Sequence, residues 1–313
     1  MQTWALANQK GGTGKTTTAI NLSASLAAAG QRVLLLDMDP QAHATLGLGC
    51  HVEEEHSIAR TFLDDVPLAQ LVRAAPGGFH LVPSTLGLAD FEQVAERTIG
   101  PERLLERELE GFCDRYDWVL FDCPPRADGV LTLNAIRAAT TTLMVVETGS
   151  FALQGALRAR GLFEEKIRDL GRCPSIRFLA TLFERSDPFS RELLVAMQAR
   201  FGQAMTDTVI RTDSCLRRAC AYGAPVRISD PASKGALDYD ALARELFQLQ
   251  PLPSADVEEP AYGSGVVRPF APPRADSASL DFSETDPKPE RVEVITRAED
   301  PFSSLEAQSP FSV

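Results

Sequence analysis

Trp4-Ala5-Leu6-Ala7-Asn8-Gln9-Lys10-Gly11-Gly12-Thr13-Gly14-Lys15-Thr16-Thr17 is the stretch that decides the fold. An apolar run leads into a glycine-rich loop, and the loop leads into Thr17–Ala29, which reads as a helix stopped by Gly30. Glycines allow positive φ and a close approach of backbone N–H groups to an anion. The positive end of the helix points at the same place. Lys10-Gly11-Gly12-Thr13-Gly14-Lys15-Thr16 is a compressed variant of the phosphate loop GxxxxGK[ST]. In that reading Lys15 neutralises the β- and γ-phosphates of ATP, the Thr16 hydroxyl holds Mg²⁺, and Thr17 sits near the α-phosphate.

Working outward, strand-like apolar runs alternate with helix-like segments, which is the pattern of a doubly wound α/β fold with a mostly parallel sheet. The strands are expected at Thr3–Asn8, Arg32–Asp37, Phe79–Pro83, Trp118–Asp122, Thr141–Glu147, Arg177–Phe183 and Thr206–Arg211. Several are apolar throughout, as strands covered on both faces should be. Further helices are expected at Pro101–Arg115, Gly129–Ala138, Leu153–Leu170, Arg191–Phe201 and Lys234–Gln248.

Two of these strands end in aspartates. Leu36-Asp37-Met38-Asp39-Pro40-Gln41 places two carboxylates at the ligand-binding edge of a parallel sheet. One suits a water-orienting role, the other support of a magnesium shell or a switch loop. Tyr116–Pro125 is a second apolar strand ending in an acid, Asp122, the arrangement by which phosphate-loop proteins hold the hydration shell of Mg²⁺.

Composition sets the limits. The chain has 313 residues, 44% of them hydrophobic, enough for a sizeable core, and a net charge of −12. Residues 251–313 carry 12 acidic and 5 basic side chains and ten of the 21 prolines. That segment is expected to be a disordered tail after a folded domain spanning residues 1–250, because it cannot bury enough apolar surface to offset its ordering entropy. The remaining net charge of −5 on residues 1–250 means that a nucleic-acid site has to be a local patch. Six cysteines show neither a CxxC pair nor zinc-type spacing, which fits reduced thiols in a cytoplasmic protein. No leader peptide is visible, and no apolar run approaches the ~20 residues of a membrane span.

The segments Ala7–Thr18, Asp37–Gln41 and Asp122-Cys123-Pro124-Pro125 resemble the deviant Walker A, switch and Walker B segments of the ParA/Soj partition ATPases, within the ParA/MinD group. The similarity continues through Leu131–Ala135, Thr181–Leu193 and Asp230–Gly235, so it covers about residues 1–250. The resemblance implies an ATPase that binds MgATP and forms a homodimer with nucleotide sandwiched between subunits. Lys10 would be the signature lysine that reaches the partner's phosphates, a cation aimed at developing charge. Asp39 would position the attacking water, and Asp37 and Asp122 would organise the metal site. Hydrolysis would be slow until a ParB-like protein or a cargo adaptor stimulates it.

The chain also departs from the family pattern. Thr13 stands where Val is usual, at a position that contributes mainly backbone. The Pro-Arg-Asn near the adenine corresponds here to Arg211-Thr212-Asp213, which leaves Arg211 and Asp213 as the base contacts. The DNA-binding arginines are displaced, leaving Arg185, Arg191, Arg217 and Arg218 as candidates for phosphate contacts, which tolerate such shifts. Two readings stay open: a partition ATPase that binds non-specific DNA and is nucleoid-associated, or an ATP switch that positions a protein cargo. A membrane ATPase of this group should end in a basic amphipathic helix, which residues 251–313 do not provide. An iron-protein reductase needs cluster cysteines, and a tyrosine kinase needs a tyrosine-rich tail. A dinucleotide site would need GxGxxG in place of the Lys-Thr loop.

Overall fold

In the computed structural model, residues 1–248 are described, apart from 113, 150, 151, 172 and 173. The segment 251–313, expected to be a disordered tail, lies outside the described residues. Seven strands form one sheet: β1 (Gln2–Ala7), β2 (Val33–Asp37), β3 (Arg73–Ala75), β4 (Phe79–Val82), β5 (Trp118–Asp122), β6 (Thr141–Glu147) and β7 (Ser175–Thr181). Their order is β3-β4-β2-β5-β1-β6-β7, with every pairing parallel except β3 with β4.

The two-residue period of a strand sorts the side chains onto two faces. Ala5, Ala7, Leu34, Leu36, Val119 and Phe121 enter one buried cluster, and Trp4, Leu6, Val33, Leu35, Trp118 and Leu120 enter the other. Among the helices, α1 (Lys15–Ala28) and α2 (His43–Gly47) follow β1 and β2, and α3 (Ala59–Asp64), α4 (Leu88–Ala95) and α5 (Leu104–Leu109) precede β5. After β5 come α6 (Val130–Ala138), α7 (Ala152–Asp169), α8 (Pro188–Phe201), α9 (Ser214–Ala221), α10 (Val226–Ser229) and α11 (Lys234–Gln248). Helices α1, α9 and α11 supply the Trp4–Leu6 cluster, whereas α6 and α7 supply the other. Neighbouring strands β1 and β5 therefore lead into helices on opposite faces. That is the topological switch point, and sheets of this kind bind their ligands there, at the carboxyl ends of the strands.

Helix α1 ends as the sequence requires. Gly30, at φ 84°, donates to Ala27 O, and the Gln31 amide donates to Leu26 O. These two bonds satisfy carbonyls of the last turn in a Schellman motif. At the other end of the molecule's connectivity, α11 packs along α1, and the Tyr239 hydroxyl meets the Thr18 hydroxyl at 3.0 Å. The buried Asn21 side chain donates to Thr17 O at 2.7 Å and accepts from the Val226 amide at 2.8 Å. One side chain thereby ties the start of α10 to the first turn of α1.

Two expected elements differ. Thr206–Arg211 runs beside β7 but is flanked by isolated bridges in place of a ladder, Phe178 with Met205 just before it and Phe183 with Arg211 at its end. The Asp207 and Thr208 amides are captured instead by the Glu245 carboxylate, each at 2.8 Å, so the ladder is interrupted. Pro101–Arg115 is broken into a 3₁₀ turn, α5 and a second 3₁₀ turn over Glu110–Phe112. There Asn134 of α6 accepts from the Leu105 amide and donates to Pro101 O, taking over bonds of the first turn. The hairpin strand β3 and the helices α2, α3, α4, α9 and α10 were not among the expected elements. All of them are eight residues or shorter.

The turns that follow α2 and α9 approach each other through main chain. A Cβ on Gly223, which holds φ +68°, would lie 2.8 Å from Gly49 Cα. Gly223→Ala should therefore lower stability by about 2 kcal/mol, combining left-handed strain with a backbone clash. Urea denaturation is expected to show a lower midpoint at unchanged slope.

Candidate active site

The loop joining β1 to α1 is shaped by backbone before any side chain acts. Gly12 and Gly14 hold φ of 77° and 89°, and Gly14 is the residue before α1. No side chain caps this helix, and its first turn contains no acid. The first amides of a helix have no partner within it. Here they and the helix dipole are left for an external anion. The loop is pinned from behind, because the Thr181 hydroxyl at the end of β7 donates to Thr13 O at 2.7 Å. Asn8 holds the front: it donates to Val145 O at 2.7 Å and accepts from the Lys10 amide at 3.2 Å.

The two lysines occupy different environments. Lys15 is buried, and its ammonium rests 3.4 Å from Lys10 O across the loop. Lys10 is exposed and forms an ion pair with Glu147 at the end of β6.

Three carboxylates face the loop. Asp37 and Asp122 are register partners on adjacent parallel strands, both completely buried. Asp37 is largely committed: its Oδ2 accepts from the Thr45 amide at 2.8 Å and the Thr45 hydroxyl at 2.7 Å, and its Oδ1 accepts from the Asp39 amide at 3.2 Å. Thr45 also accepts from the Ser84 amide at 2.9 Å, so Asp37 anchors α2 to the ends of β2 and β4. Asp122 is the opposite case: among the described residues neither oxygen has a partner at close hydrogen-bonding geometry, and the Thr16 hydroxyl is the donor placed to act on it. Asp39 accepts from the Gln41 amide at 2.9 Å, which shapes the turn into α2.

Electrostatics follows from this burial. Desolvation raises the Asp37 pKa to about 6 against the opposing hydrogen bonds from Thr45 and Asp39. Desolvation raises Asp122 well above the ordinary carboxylate range, and the neighbouring Asp37 raises it further, while Thr16 and Lys15 act the other way. An unpartnered buried carboxylate beside a second acid, with a threonine hydroxyl and a lysine at hand, fits a divalent cation and its water shell. The amide-lined loop and Lys15 fit the phosphates that such a cation accompanies.

The sequence-derived residues Lys10, Gly11, Gly12, Thr13, Gly14, Lys15, Thr16, Thr17, Asp37, Asp39 and Asp122 thus converge on the carboxyl ends of β1, β2 and β5. Arg211 and Asp213 are instead committed to internal structure. Arg211 pairs with Asp238 at 2.6 Å. Asp213 caps α9 through the Cys215 amide at 2.9 Å and accepts from the Gly235 amide at 2.8 Å. Both side chains thus bind protein groups. Thr45, Asn8 and Glu147 were missed. An Asp-x₇-Thr spacing gives no local signal for the first, and the others act only through tertiary contact.

Of the arginines considered for DNA, Arg185, Arg191 and Arg217 are exposed and have no ion pair among the described residues. The Phe183–Arg211 bridge places the Arg185 loop beside the start of α9, which bears Arg217. Arg218 is less free, with Asp230 at 3.8 Å and the Cys215 sulfur at 3.0 Å. No helix among the described residues is long and apolar enough to cross a membrane. Cys50, Cys123, Cys215 and Cys220 are free thiols, and no group of three or more His, Cys, Asp or Glu side chains among the described residues is arranged to hold a metal ion.

A strand, a phosphate loop, an uncapped helix and acids ending the adjacent strands define a P-loop nucleotide-binding protein of the doubly wound type. A family model described as an AAA domain matches residues 1–168. The chain is 38% identical over 244 residues to the chromosome-partitioning ATPase Soj of Thermus thermophilus, covering 78% of this chain and 94% of that protein. It is 34% identical over 245 residues to the sporulation initiation inhibitor protein Soj of Bacillus subtilis, covering 77% and 96%. Among solved structures, the cobyrinic acid a,c-diamide synthase of Mycobacterium smegmatis with bound ATP analogue and magnesium matches with a TM-score of 0.69 at 28% identity, over 79% of this chain and 95% of that one. The chain belongs to the ParA/Soj family of ParA/MinD-type ATPases.

The raised acids give a signed pH dependence. A carboxyl whose folded pKa is raised contributes its stability below the unfolded value, near pH 4, and loses it as pH rises through the folded value, about 6 for Asp37. The nucleotide-free protein should therefore lose this contribution between about pH 4 and about pH 6. Asp122→Asn should relieve the repulsion and stabilise the nucleotide-free protein at neutral pH by on the order of 1 kcal/mol. It should also abolish the stabilisation that magnesium adds in the presence of nucleotide. Urea denaturation near pH 5 and near pH 7, with and without MgATP, checks both signs.

Proposed function

We propose that the chain binds MgATP at this loop, dimerises face to face around the nucleotide, and hydrolyses ATP slowly until a partner accelerates it. The observation that carries the proposal is the uncapped start of α1, with buried Lys15 on one side and the unpartnered Asp122 carboxylate on the other. When bound, the magnesium ion neutralises charge on the β- and γ-phosphates. Lys15 and the loop amides orient those phosphates. Thr16 and Asp122 hold the ion and its water shell, with Asp37 steadying the switch segment behind them. Asp39, fixed by Gln41, orients the attacking water. Lys10 of the second copy supplies positive charge where negative charge develops on the transferred group.

The output of the cycle is then a dimer that persists while ATP persists. We assign the dimer to partition of chromosomal or plasmid DNA. Arg185, Arg191 and Arg217 carry the non-specific contacts, with Arg218 joining once it leaves Asp230. Soj of Thermus thermophilus, named as a chromosome-partitioning ATPase, supports this assignment at 38% identity. A ParB-like activator completes it. A second reading, an ATP switch that positions a protein cargo with little direct DNA role, is favoured by the net charge of −5 on residues 1–250 and by the Arg218–Asp230 pair.

Lys15→Ala should abolish ATP binding in calorimetry. Lys10→Ala should bind ATP nearly as wild type yet fail to dimerise or to respond to an activator, and full stimulated turnover by it would refute the trans-acting lysine. Asp39→Ala should accumulate as an ATP-bound dimer in sedimentation; a monomer under saturating MgATP would remove Asp39 from the water-orienting role. For DNA, binding to a random duplex is measured with and without MgATP across a salt series. Arg217→Ala should reduce the salt slope by about 1 or 2 per dimer. Absence of ATP-dependent binding at low salt would eliminate the DNA reading in favour of protein cargo.

A further inference from the structure

The lysine assigned to the partner's phosphates is held on its own subunit. Lys10 pairs with Glu147, and the two residues are brought together by the sheet rather than by the loop. Strand β6 lies beside β1 in parallel register, Ala7 opposite Met144, so the end of β6 projects alongside the loop that leaves β1. Asn8 fixes the geometry between them, since its side chain holds Val145 O and the Lys10 amide at once. Glu147 and Lys10 also line a cavity of about 350 Å³ beside the start of α7, together with Asn8, Thr13, Gln154 and Arg158. Arg158 is exposed and has no ion pair among the described residues. One carboxylate thus lines this cavity with two cations, and it pairs with the one assigned to the dimer.

We propose that Glu147 is a positioning residue that latches Lys10 in the single subunit, so that dimerisation proceeds only as the Lys10–Glu147 pair opens, with Arg158 then neutralising Glu147. The proposal rests on the reading that Lys10 acts across a dimer. It adds a threshold to that reading: a subunit with bound nucleotide still has its signature lysine occupied. The latch is weak by construction. The Lys10 side chain is 59% exposed and that of Glu147 20% exposed, so solvent screens the pair, and salt weakens it further. A weak latch sets a threshold without blocking assembly.

The test uses the full chain with a non-hydrolysable ATP analogue and sedimentation velocity. Glu147→Gln, which keeps size and removes charge, should reach half-dimerisation at an analogue concentration on the order of threefold to fivefold lower than wild type. Added salt should promote wild-type dimerisation more than that of Glu147→Gln, because only the wild type has a latch to screen. Glu147→Asp retains the charge on a shorter stem and should fall between the two. A double-mutant cycle of Lys10→Ala and Glu147→Gln on the urea midpoint of the nucleotide-free protein reads the pair in a single subunit, independently of assembly. Equal or weaker dimerisation by Glu147→Gln, or zero coupling in the cycle, overturns the latch. Wild type that binds the analogue but stays monomeric overturns the sandwich reading and the latch together, whereas normal wild-type dimerisation with an unaltered Glu147→Gln overturns the latch alone.

Discussion

Two carboxylates held side by side out of water, Asp37 and Asp122, are the constraint around which the site is built. Like charges in a buried place repel, and burial penalises each of them separately. The fold answers the two acids differently. Asp37 receives three hydrogen bonds and becomes the anchor of the segment that carries Asp39. Asp122 has no such anchoring bonds among the described residues, only the Thr16 hydroxyl at hand. The subunit thus carries a standing electrostatic cost, of the kind that a divalent cation would relieve. Placement at the ends of β2 and β5, directly beside the uncapped start of α1, puts the relief where anionic phosphates also meet positive charge.

The same economy governs the polar groups around it. Asn8, Asn21 and Asn134 are each buried, and each joins two chain segments that are distant in sequence. A buried amide side chain is tolerated only when its groups are satisfied, so these links are specific in a way that apolar packing is not. They hold the loop to β6, α1 to α10 and α6 to α5. Rigidity of the scaffold is in this sense supplied by a few side chains, while the sheet supplies the register.

Much of this was legible in the sequence, for identifiable reasons. The phosphate loop, the end of α1 at Gly30 and strands such as Trp118–Asp122 are local signals, written in glycine placement and apolar runs. Thr206–Arg211 has the composition of a strand, but Glu245 takes its amides, and no local reading contains Glu245. Pro101–Arg115 has helical composition and is broken by Asn134 from another helix. Arg211 and Asp213 are expected as base contacts only through their correspondence to the family's Pro-Arg-Asn. Their partners, Asp238 and the Gly235 amide, are met only in three dimensions. The roles of Thr45 and Glu147 were hidden for the same reason, since the pairing of Lys10 with Glu147 spans 137 positions.

The bridge made by Asn21 has a practical meaning. Its oxygen holds the amide of Val226, 205 residues away in sequence, and its nitrogen holds the carbonyl of Thr17 in the first turn behind the phosphate loop. The Val226 amide is therefore a built-in reporter: a resonance or exchange signal read at the α9–α10 corner, in a different part of the chain, senses strain in the turn that grips the nucleotide. The α9–α10 corner and the first turn of α1 are thus linked through one buried side chain as well as through packing.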